Sequence, residues 1–486
     1  MIIRIRSFSC LITASLFFLV LSSCSVQQQI ARSAKAVVLD NKALQAAHVG
    51  ISIFDPAANQ YLYNYQGDKY FVPASNTKIP TCYAAMKYLR DSLVGLKWGT
   101  PTEKMYENNL LVFQATGDPT FLHKDYPKQP VFDFFEAALA QKKSFAFMDT
   151  IWKAERWGSG WSWTDYDAEY MAERNSFPAY GNVVTIWENE KVQEDGYHPR
   201  KFEYSYFKTH PAYFDTLVNK GWNSSPQDTF YSVTRRISEN KFEFNSSTVG
   251  FKKATLPFVT NNYVTTFQIL NRIFQKSKFL GAEVYPADGK DKSVYGFACQ
   301  YCDVQIIHIN KWHNIHSQPT DSLLKPMMHR SDNFFAEQSL LMVSNERLGL
   351  MNDEKIIDTL LKTDLKDLPQ KPRWADGSGL SRYNLFTPQD FVSILNKMKN
   401  EFGMERLKLI FPTGGEGTIS SYYRNMSGSI YGKTGTLSGV VAFSGYLYTK
   451  KGKLLIFSTL VNNHQASATE VRRAVEQFLT GIRERY

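Results

Sequence analysis

The sequence predicts an α+β fold: an antiparallel sheet with helices on its faces, plus an inserted β-rich region of one or two domains. Three observations predict it. Both ends of the chain carry alternating apolar runs beside stretches of helical apolar spacing. The middle breaks into short alternating stretches punctuated by Gly, Pro, Asn and Asp. The 486 residues exceed what a single hydrophobic core absorbs. A 43% hydrophobic and 21% charged composition excludes a disordered chain, a collagen-like fibre and a disulfide-rich miniprotein. The net charge of +10 comes without a long Lys/Arg run, so it suits an acidic partner or surface and gives no case for nucleic acid.

Taken in order, Met1–Arg6 are short and basic and Phe8–Leu21 almost wholly apolar, which reads as a secretory signal peptide over residues 1–23. No other long apolar run occurs, so the body is not an integral membrane bundle. The run closes on Leu21-Ser22-Ser23-Cys24, which resembles the bacterial lipoprotein signal. That resemblance implies cleavage before Cys24 and its acylation, with residues 24–30 as a lipid-anchored polar tether. Ser25 in place of Asp then points to the outer membrane and a periplasmic address. Plain secretion, with Cys24 incidental, is the alternative. Ile30–Leu39 reads as a helix, His48–Phe54 and Tyr61–Tyr65 as a hairpin turned at Asp55-Pro56 and Asn59, and the chain from Ser75 to Leu89 as a helix. At the far end Ile430–Thr434, Val440–Tyr448 and Leu454–Val461 read as strands. Ser467-Ala468-Thr469-Glu470 is a capping box before a helix whose apolar residues run from Val471 to Ile482. Residues 31–97 and 310–486 are therefore expected to form one discontinuous domain, with 98–309 inserted. Cys82 falls in an apolar helical pattern and reads as a buried thiol. Cys299 and Cys302 suit a local disulfide in an exported chain; zinc there would need a second ligand pair, and although His313 and His316 lie nearby the intervening loop does not suit one, so no metal is expected.

Three short motifs carry chemistry. Ser75-Asn76-Thr77-Lys78 opens a helix, so Ser75 and Lys78 share a face and a weak nucleophile acquires an amine one turn away. Alone this means little, since ordinary composition yields about 2 chance Ser-x-x-Lys matches in such a chain. Ser331-Asp332-Asn333 precedes the helical run from Phe334 to Val343, where a hydroxyl could relay a proton and an amide hold a substrate amide; a plain helix cap is the competing reading. Lys433-Thr434-Gly435-Thr436 lies on an apolar strand, where Gly435 lets backbone approach backbone and Lys433 offers a cation to a carboxylate, or is simply a solvated edge charge.

Together and in this order the motifs are specific. S-x-x-K, S-D-N and K-T-G mark penicillin-binding proteins and class A β-lactamases. With Val72-Pro73-Ala74 before Ser75, Gly117-Asp118-Pro119-Thr120 and Asp376-Gly377-Ser378-Gly379-Leu380-Ser381-Arg382, and with the long gap from Lys78 to Ser331, the chain resembles D-alanyl-D-alanine carboxypeptidase/endopeptidases of the penicillin-binding protein 4 type. The resemblance is thin from Asn182 to Ala298. It implies a β-lactamase/transpeptidase-like fold and a serine DD-peptidase that cleaves D-Ala-containing stem peptides of peptidoglycan and is acylated by β-lactams. It assigns Ser75 as nucleophile, Lys78 as general base tuned by burial and by Lys433, and Ser331 as proton relay to the leaving amine. Asn333 holds a substrate amide and orients Lys78. Lys433 with Thr434 or Thr436 holds the terminal carboxylate, and the backbone N–H groups of Ser75 and Thr436 form the oxyanion hole. Gly435 lies in the same substrate-binding strand. In the Trp161-Ser162-Trp163-Thr164-Asp165 segment it offers Asp165, with Asp167 competing, to a diaminopimelate amine; a core Trp pair with a solvated Asp is the equal alternative. Asp376 and Arg382 resemble positions near the cleft, or form a turn-stabilising pair. No cofactor is implied.

Other readings weaken on inspection. Gly428 stands one residue too close to Gly432-Lys433-Thr434 for a phosphate-binding loop, and Gly414–Thr418 reads as a turn before the strand. There is no H-E-x-x-H, no G-x-S-x-G and no E-x-x-L-N, which argues against a zincin, an α/β-hydrolase and efficient β-lactam hydrolysis. The remaining alternative is a non-hydrolytic cell-wall-binding or β-lactam-sensing protein that keeps the pocket without turnover.

Overall fold

The computed structural model describes residues 26–102, 110–188, 207–220, 232–245, 253–274, 284–286, 295–297, 309 and 311–486. The signal segment, Cys24, Cys299 and Cys302 lie outside these residues. Chain contacts divide the protein into two compact units: one of Met1–Tyr83, Lys325–Ser331 and Leu360–Tyr486, the other of Ala84–Leu324 and Asp332–Thr359.

The first unit is built on a five-stranded antiparallel sheet. Its order is Ile430–Leu437, Val440–Tyr448, Leu454–Asn462, His48–Asp55, Gln60–Tyr65. Lys433 pairs with Ser444 and Ser444 with Ser458, while Ser52 pairs with Ser458 from the other side. The central strands are apolar on both faces because both faces are covered. On one face Ile51, Ile53, Phe443, Phe457 and Val461 pack with Val475, Phe478, Leu479 and Ile482 of the Ala468–Arg485 helix. The other face carries the Pro388–Ile410 helix, whose Leu395 carbonyl accepts from the Tyr446 hydroxyl at 2.7 Å. Burying one such Phe or Ile contributes roughly 1.5–3 kcal/mol. Both helices start on reciprocal side-chain caps, Ser467 with Glu470 and Thr387 with Asp390.

Residues 26–34 are helical and run into a wider, π-helical turn, Lys35–Leu39. The stretch expected as a polar tether, Val26–Ile30, is therefore part of this fold: Ile30 is buried, Gln27 bonds the Tyr61 carbonyl and Tyr486 the Val26 carbonyl. The physical reason is amphipathicity: Ile30, Ala34 and Val38 recur at helical spacing and complete the apolar cluster under the sheet.

The second unit contains a six-stranded sheet. Its order is Val284–Pro286, Tyr295–Phe297, Ser144–Phe147, Leu110–Ala115, Ser92–Gly99, His313–Pro319, and only Leu110–Ala115 and Ser144–Phe147 run parallel. Two smaller three-stranded sheets centre on Val183–Glu188 and Phe242–Asn245. The β-rich expectation for this region omitted two helices, Pro130–Ala140 and Val264–Phe274. Their phenylalanines, Phe135 and Phe267, close an aromatic core with Phe113, Phe145, Phe147 and Phe177. The first of them is so rich in aromatics that its periodicity is hard to see. The Asn333–Leu348 helix is buried from Phe334 to Asn345, and its Glu337, with Asp353, pairs the fully buried Arg174 at 3.1 and 2.7 Å. Among the described residues no helix is long and apolar enough to cross a membrane, and no group of three or more His, Cys, Asp or Glu stands together as metal ligands. His313 stacks on Trp98, and His316 shares a hydrogen bond with Ser92. Cys82 is buried.

Candidate active site

Pro73 precedes one 3₁₀ turn, Ala74–Thr77, which leads into the Lys78–Tyr88 helix. From Pro73 to Met86 every residue is buried except Ser75. The turn explains the exception. Ala74 takes a left-handed φ of 47°, and the Thr77 hydroxyl bonds the Ala74 carbonyl at 2.9 Å, so the chain swings Ser75 outward before the helix begins. Asn76, facing the other way, donates to Ser444, which in turn reaches Ser458, tying the turn to two strands of the sheet at 2.7 and 2.8 Å.

Lys78 is wholly buried, and its amine lies 3.0 Å from the Ser75 hydroxyl and 2.7 Å from the Ser378 carbonyl. The carbonyl is delivered by a loop wound around one buried carboxylate. Asp376 accepts from the Gly379 and Ser381 amides and from the Asn384 side chain at 2.7–2.8 Å. The same loop turns the Gly377 carbonyl to the Thr81 hydroxyl at 2.7 Å. Gly379 sits at φ +85° with its α-carbon against the Ala74 carbonyl, where no side chain fits. Arg382 reaches the Ser438 carbonyl at 2.8 Å. Asp376 and Arg382 thus each hold their own partners within this unit and do not form the turn-stabilising pair that the sequence suggested.

A second serine–lysine pair stands in the same unit. The Lys433 amine, wholly buried, donates to the Ser331 hydroxyl at 2.9 Å and to the Thr434 carbonyl at 2.8 Å. Burial, with the Lys78 charge adding to it, pushes Lys433 well below the ordinary lysine range. Ser331 has φ +61°, the break between the Thr320–His329 helix and the next one. Gly435 lies so near the nucleophile's turn that a Cβ there would stand 2.5 Å from the Pro73 carbonyl oxygen and 3.0 Å from the Ser75 nitrogen. The Ile430–Leu437 strand is an edge of its sheet, as a strand that is to pair with a peptide must be. The Thr434 hydroxyl bonds Thr418 at 2.7 Å, and the exposed Thr436 hydroxyl accepts from Arg472 at 2.6 Å. The Gly414–Thr418 segment is the turn the sequence suggests.

Ser75, Lys78, Ser331, Lys433, Thr434, Gly435 and Thr436 are thus assembled within one unit. Asn333 and Asp165 belong to the other. There Asn333 donates to the Tyr170 carbonyl at 3.0 Å, and the Tyr170 hydroxyl donates to Asp165 at 2.9 Å. Asp332 caps the helix through the Phe335 amide. Trp163 is 70% exposed, so the Trp161–Asp165 segment is no core tryptophan pair. Sequence reasoning passed over Ser378 as the acceptor for Lys78, although the Gly377-Ser378-Gly379 run was its visible signal. Thr418 and Arg472, 16 and 36 residues from their partners, left no local pattern to find.

Chemically, this is a partly exposed hydroxyl beside a buried amine, with a second buried amine on an edge strand. Such a set suits nucleophilic attack on a carbonyl whose neighbour bears a negative charge.

The sequence model of the family described as D-Ala-D-Ala carboxypeptidase 3 (S13) matches residues 30–228 and 310–482. The D-alanyl-D-alanine carboxypeptidase of Actinomadura sp. (strain R39) is 24% identical over 462 residues, 89% of this chain and 80% of that protein. The D-alanyl-D-alanine carboxypeptidase DacB of Haemophilus influenzae is 23% identical over 448 residues, 89% of each chain. The crystal structure of penicillin binding protein 4 (dacB) from Haemophilus influenzae aligns with a TM-score of 0.67 at 21% identity, covering 93% of this chain and 98% of that one, which is a likeness of fold.

Proposed function

The chain belongs to the D-Ala-D-Ala carboxypeptidase 3 (S13) family, and we propose that Ser75 carries its acyl-enzyme. It is a penicillin-binding serine DD-peptidase acting on D-Ala-containing peptides of peptidoglycan. The observation that carries the assignment to Ser75 is the geometry of one helix start: the one solvent-reaching residue between Pro73 and Met86 lies 3.0 Å from a fully buried lysine amine.

In this reading neutral Lys78 takes the Ser75 proton as Oγ bonds to the carbonyl carbon of the penultimate D-Ala. The C–N bond then breaks, and Ser331 passes a proton to the leaving amine. Water attacks the ester, releases the peptide carboxylate and restores the hydroxyl. The Ser378 carbonyl keeps the Lys78 amine aimed at Ser75. Lys433 and Thr436 receive the terminal carboxylate, and the close approach of Gly435 to the Ser75 turn supports an oxyanion hole from the Ser75 and Thr436 amides. Asn333 keeps the substrate-amide role its motif gives it, and Asp165 the diaminopimelate amine; the bond from Tyr170 that orients Asp165 supports the latter. The same chemistry serves carboxypeptidase and endopeptidase cleavage. The export signal and the Cys24 motif support a periplasmic enzyme held by lipid to the outer membrane.

Mass spectrometry with a β-lactam and then with a muramyl pentapeptide tests the reading. A stable adduct on Ser75 with release of D-alanine supports it. An adduct without release would make the protein a sensor or binder, and an adduct on another residue would remove Ser75. Ser75→Ala should abolish both reactions and leave the fold intact.

A further inference from the structure

The two threonine hydroxyls of the Lys433–Thr436 segment are not equivalent. Thr434 is 9% exposed and engaged with the Thr418 hydroxyl at 2.7 Å. Thr436 is exposed, and its oxygen accepts from Arg472 at 2.6 Å. Arg472 belongs to the Ala468–Arg485 helix, in the same compact unit. A guanidinium has five N–H donors and no acceptor, and it stays charged at any working pH. A threonine hydroxyl that accepts from it must send its own proton elsewhere. From the exposed Thr436 that direction is outward, to whatever lies along the edge strand.

The neighbours of Arg472 sharpen the point. Arg473, next in the chain, is neutralised by Glu476 and lies 4.4 Å over the Tyr422 ring. Arg472 lies 5.8 Å from the same ring and, among the described residues, has no carboxylate partner. An uncompensated cation therefore backs a hydroxyl that is left as a donor. The ligand chemistry that answers both is an anion with a hydrogen-bond acceptor, and on this strand that means a carboxylate.

We infer that Arg472 is a positioning residue that makes Thr436 the donor for the substrate's carboxylate, and so strengthens the enzyme's preference for peptides whose leaving residue carries a free α-carboxylate. This rests on the reading of the Lys433–Thr436 strand as the carboxylate-binding strand. Both D-Ala-D-Ala tails and cross-links in which the leaving amine belongs to a residue with a free carboxylate meet the condition. Peptides with an amidated C-terminus do not.

The test uses a D-Ala-D-Ala-terminated peptide and its C-terminal amide on the full chain and on its Arg472→Gln, Arg472→Lys, Thr436→Val and Arg472→Gln/Thr436→Val variants. Hydrolysis is read as kcat and KM. Binding of both peptides is read by calorimetry on the same set carrying Ser75→Ala. Loss of one charge-assisted contact is worth about tenfold or more. The carboxylate-over-amide preference should fall by about that factor in Arg472→Gln, mostly in KM, with hydrolysis of the amide within about twofold of wild type. Arg472→Lys should recover part of it. The double variant should be no worse than Thr436→Val alone, because Arg472 acts through Thr436. An unchanged preference in Arg472→Gln, or additive losses in the double variant, overturns the inference. A chain that hydrolyses neither peptide, yet binds the carboxylate form in an Arg472-dependent way, sinks the peptidase reading and leaves this one standing.

Discussion

Replacing Gly379 by alanine should disable the nucleophile from behind. Gly379 is at φ +85°, and a Cβ built there stands 2.5 Å from the Ala74 carbonyl carbon and 3.0 Å from the Ser75 nitrogen, against the 3.4 Å at which ordinary contact begins. The obstacle is backbone, so it cannot rotate away. The Ala74–Ser75 peptide, the Gly379 loop, or both must yield by roughly 1 Å, and a shift of that size in a reacting group costs on the order of 100-fold in rate. The same loop presents the Ser378 carbonyl that aims Lys78, so both halves of the nucleophile–base pair are disturbed at once. The left-handed conformation adds roughly 1–2 kcal/mol of strain. Gly452 separates the two effects: it has φ +78° with nothing within 4 Å of the added carbon, so Gly452→Ala carries the strain without the displacement. Second-order acylation by a fluorescent penicillin, with thermal unfolding alongside, reads both. Gly379→Ala should lose about 100-fold in acylation while Gly452→Ala acylates like wild type. Near-normal acylation by Gly379→Ala, or an equal loss in Gly452→Ala, would refute the reasoning.

Lys78→Arg should cost about 100- to 10,000-fold in acylation, the worth of a general base, because Arg cannot give up its proton; an acylation rate near wild type would remove Lys78 as base. Lys433 is needed charged for a carboxylate and is held below the usual lysine range, so carboxylate-dependent activity is present at lower pH and lost as pH rises through that lowered value. Lys433→Arg should retain more activity than Lys78→Arg and lose this alkaline limb in a pH–rate profile; an alkaline limb unmoved by the change would assign it elsewhere. Burial raises Asp390 to about 6 from 3.8. Because its folded value is raised, its contribution to stability is full below the unfolded value and is lost as pH rises through about 6. The stability of Asp390→Asn relative to wild type should therefore improve between pH 4 and pH 8, by at most about 3 kcal/mol, in urea titrations; a constant difference across that range would deny the shift. A chain lacking residues 1–23 and carrying Cys24→Ser should be soluble and active, since it keeps the helix from Val26 onward that packs under the sheet; inactivity of the purified form would mean the amino terminus is not a detachable address.

What the sequence by itself determined was whatever is written locally. Alternation and helical spacing marked the terminal strands and the capped last helix, because side-chain period and cap chemistry are properties of a few adjacent residues. Ser75 with Lys78 was legible for the same reason, since one helical turn separates nucleophile from amine. The motif order then identified the family. The aromatic helix Pro130–Ala140 escaped because apolar residues on several of its sides erase the period. The packing of Ile30 and Ala34 under the sheet escaped because a polar start such as Val26–Gln29 looks like a linker until the surface it covers exists. Only tertiary structure decided the partners: the Ser378 carbonyl on Lys78, Ser331 on Lys433, Thr418 on Thr434 and Arg472 on Thr436. Those bonds join residues 16 to 300 positions apart. Each has a reach of about 3 Å, so the sequence can supply the groups, but only the packed sheet and its loops can bring them within that distance.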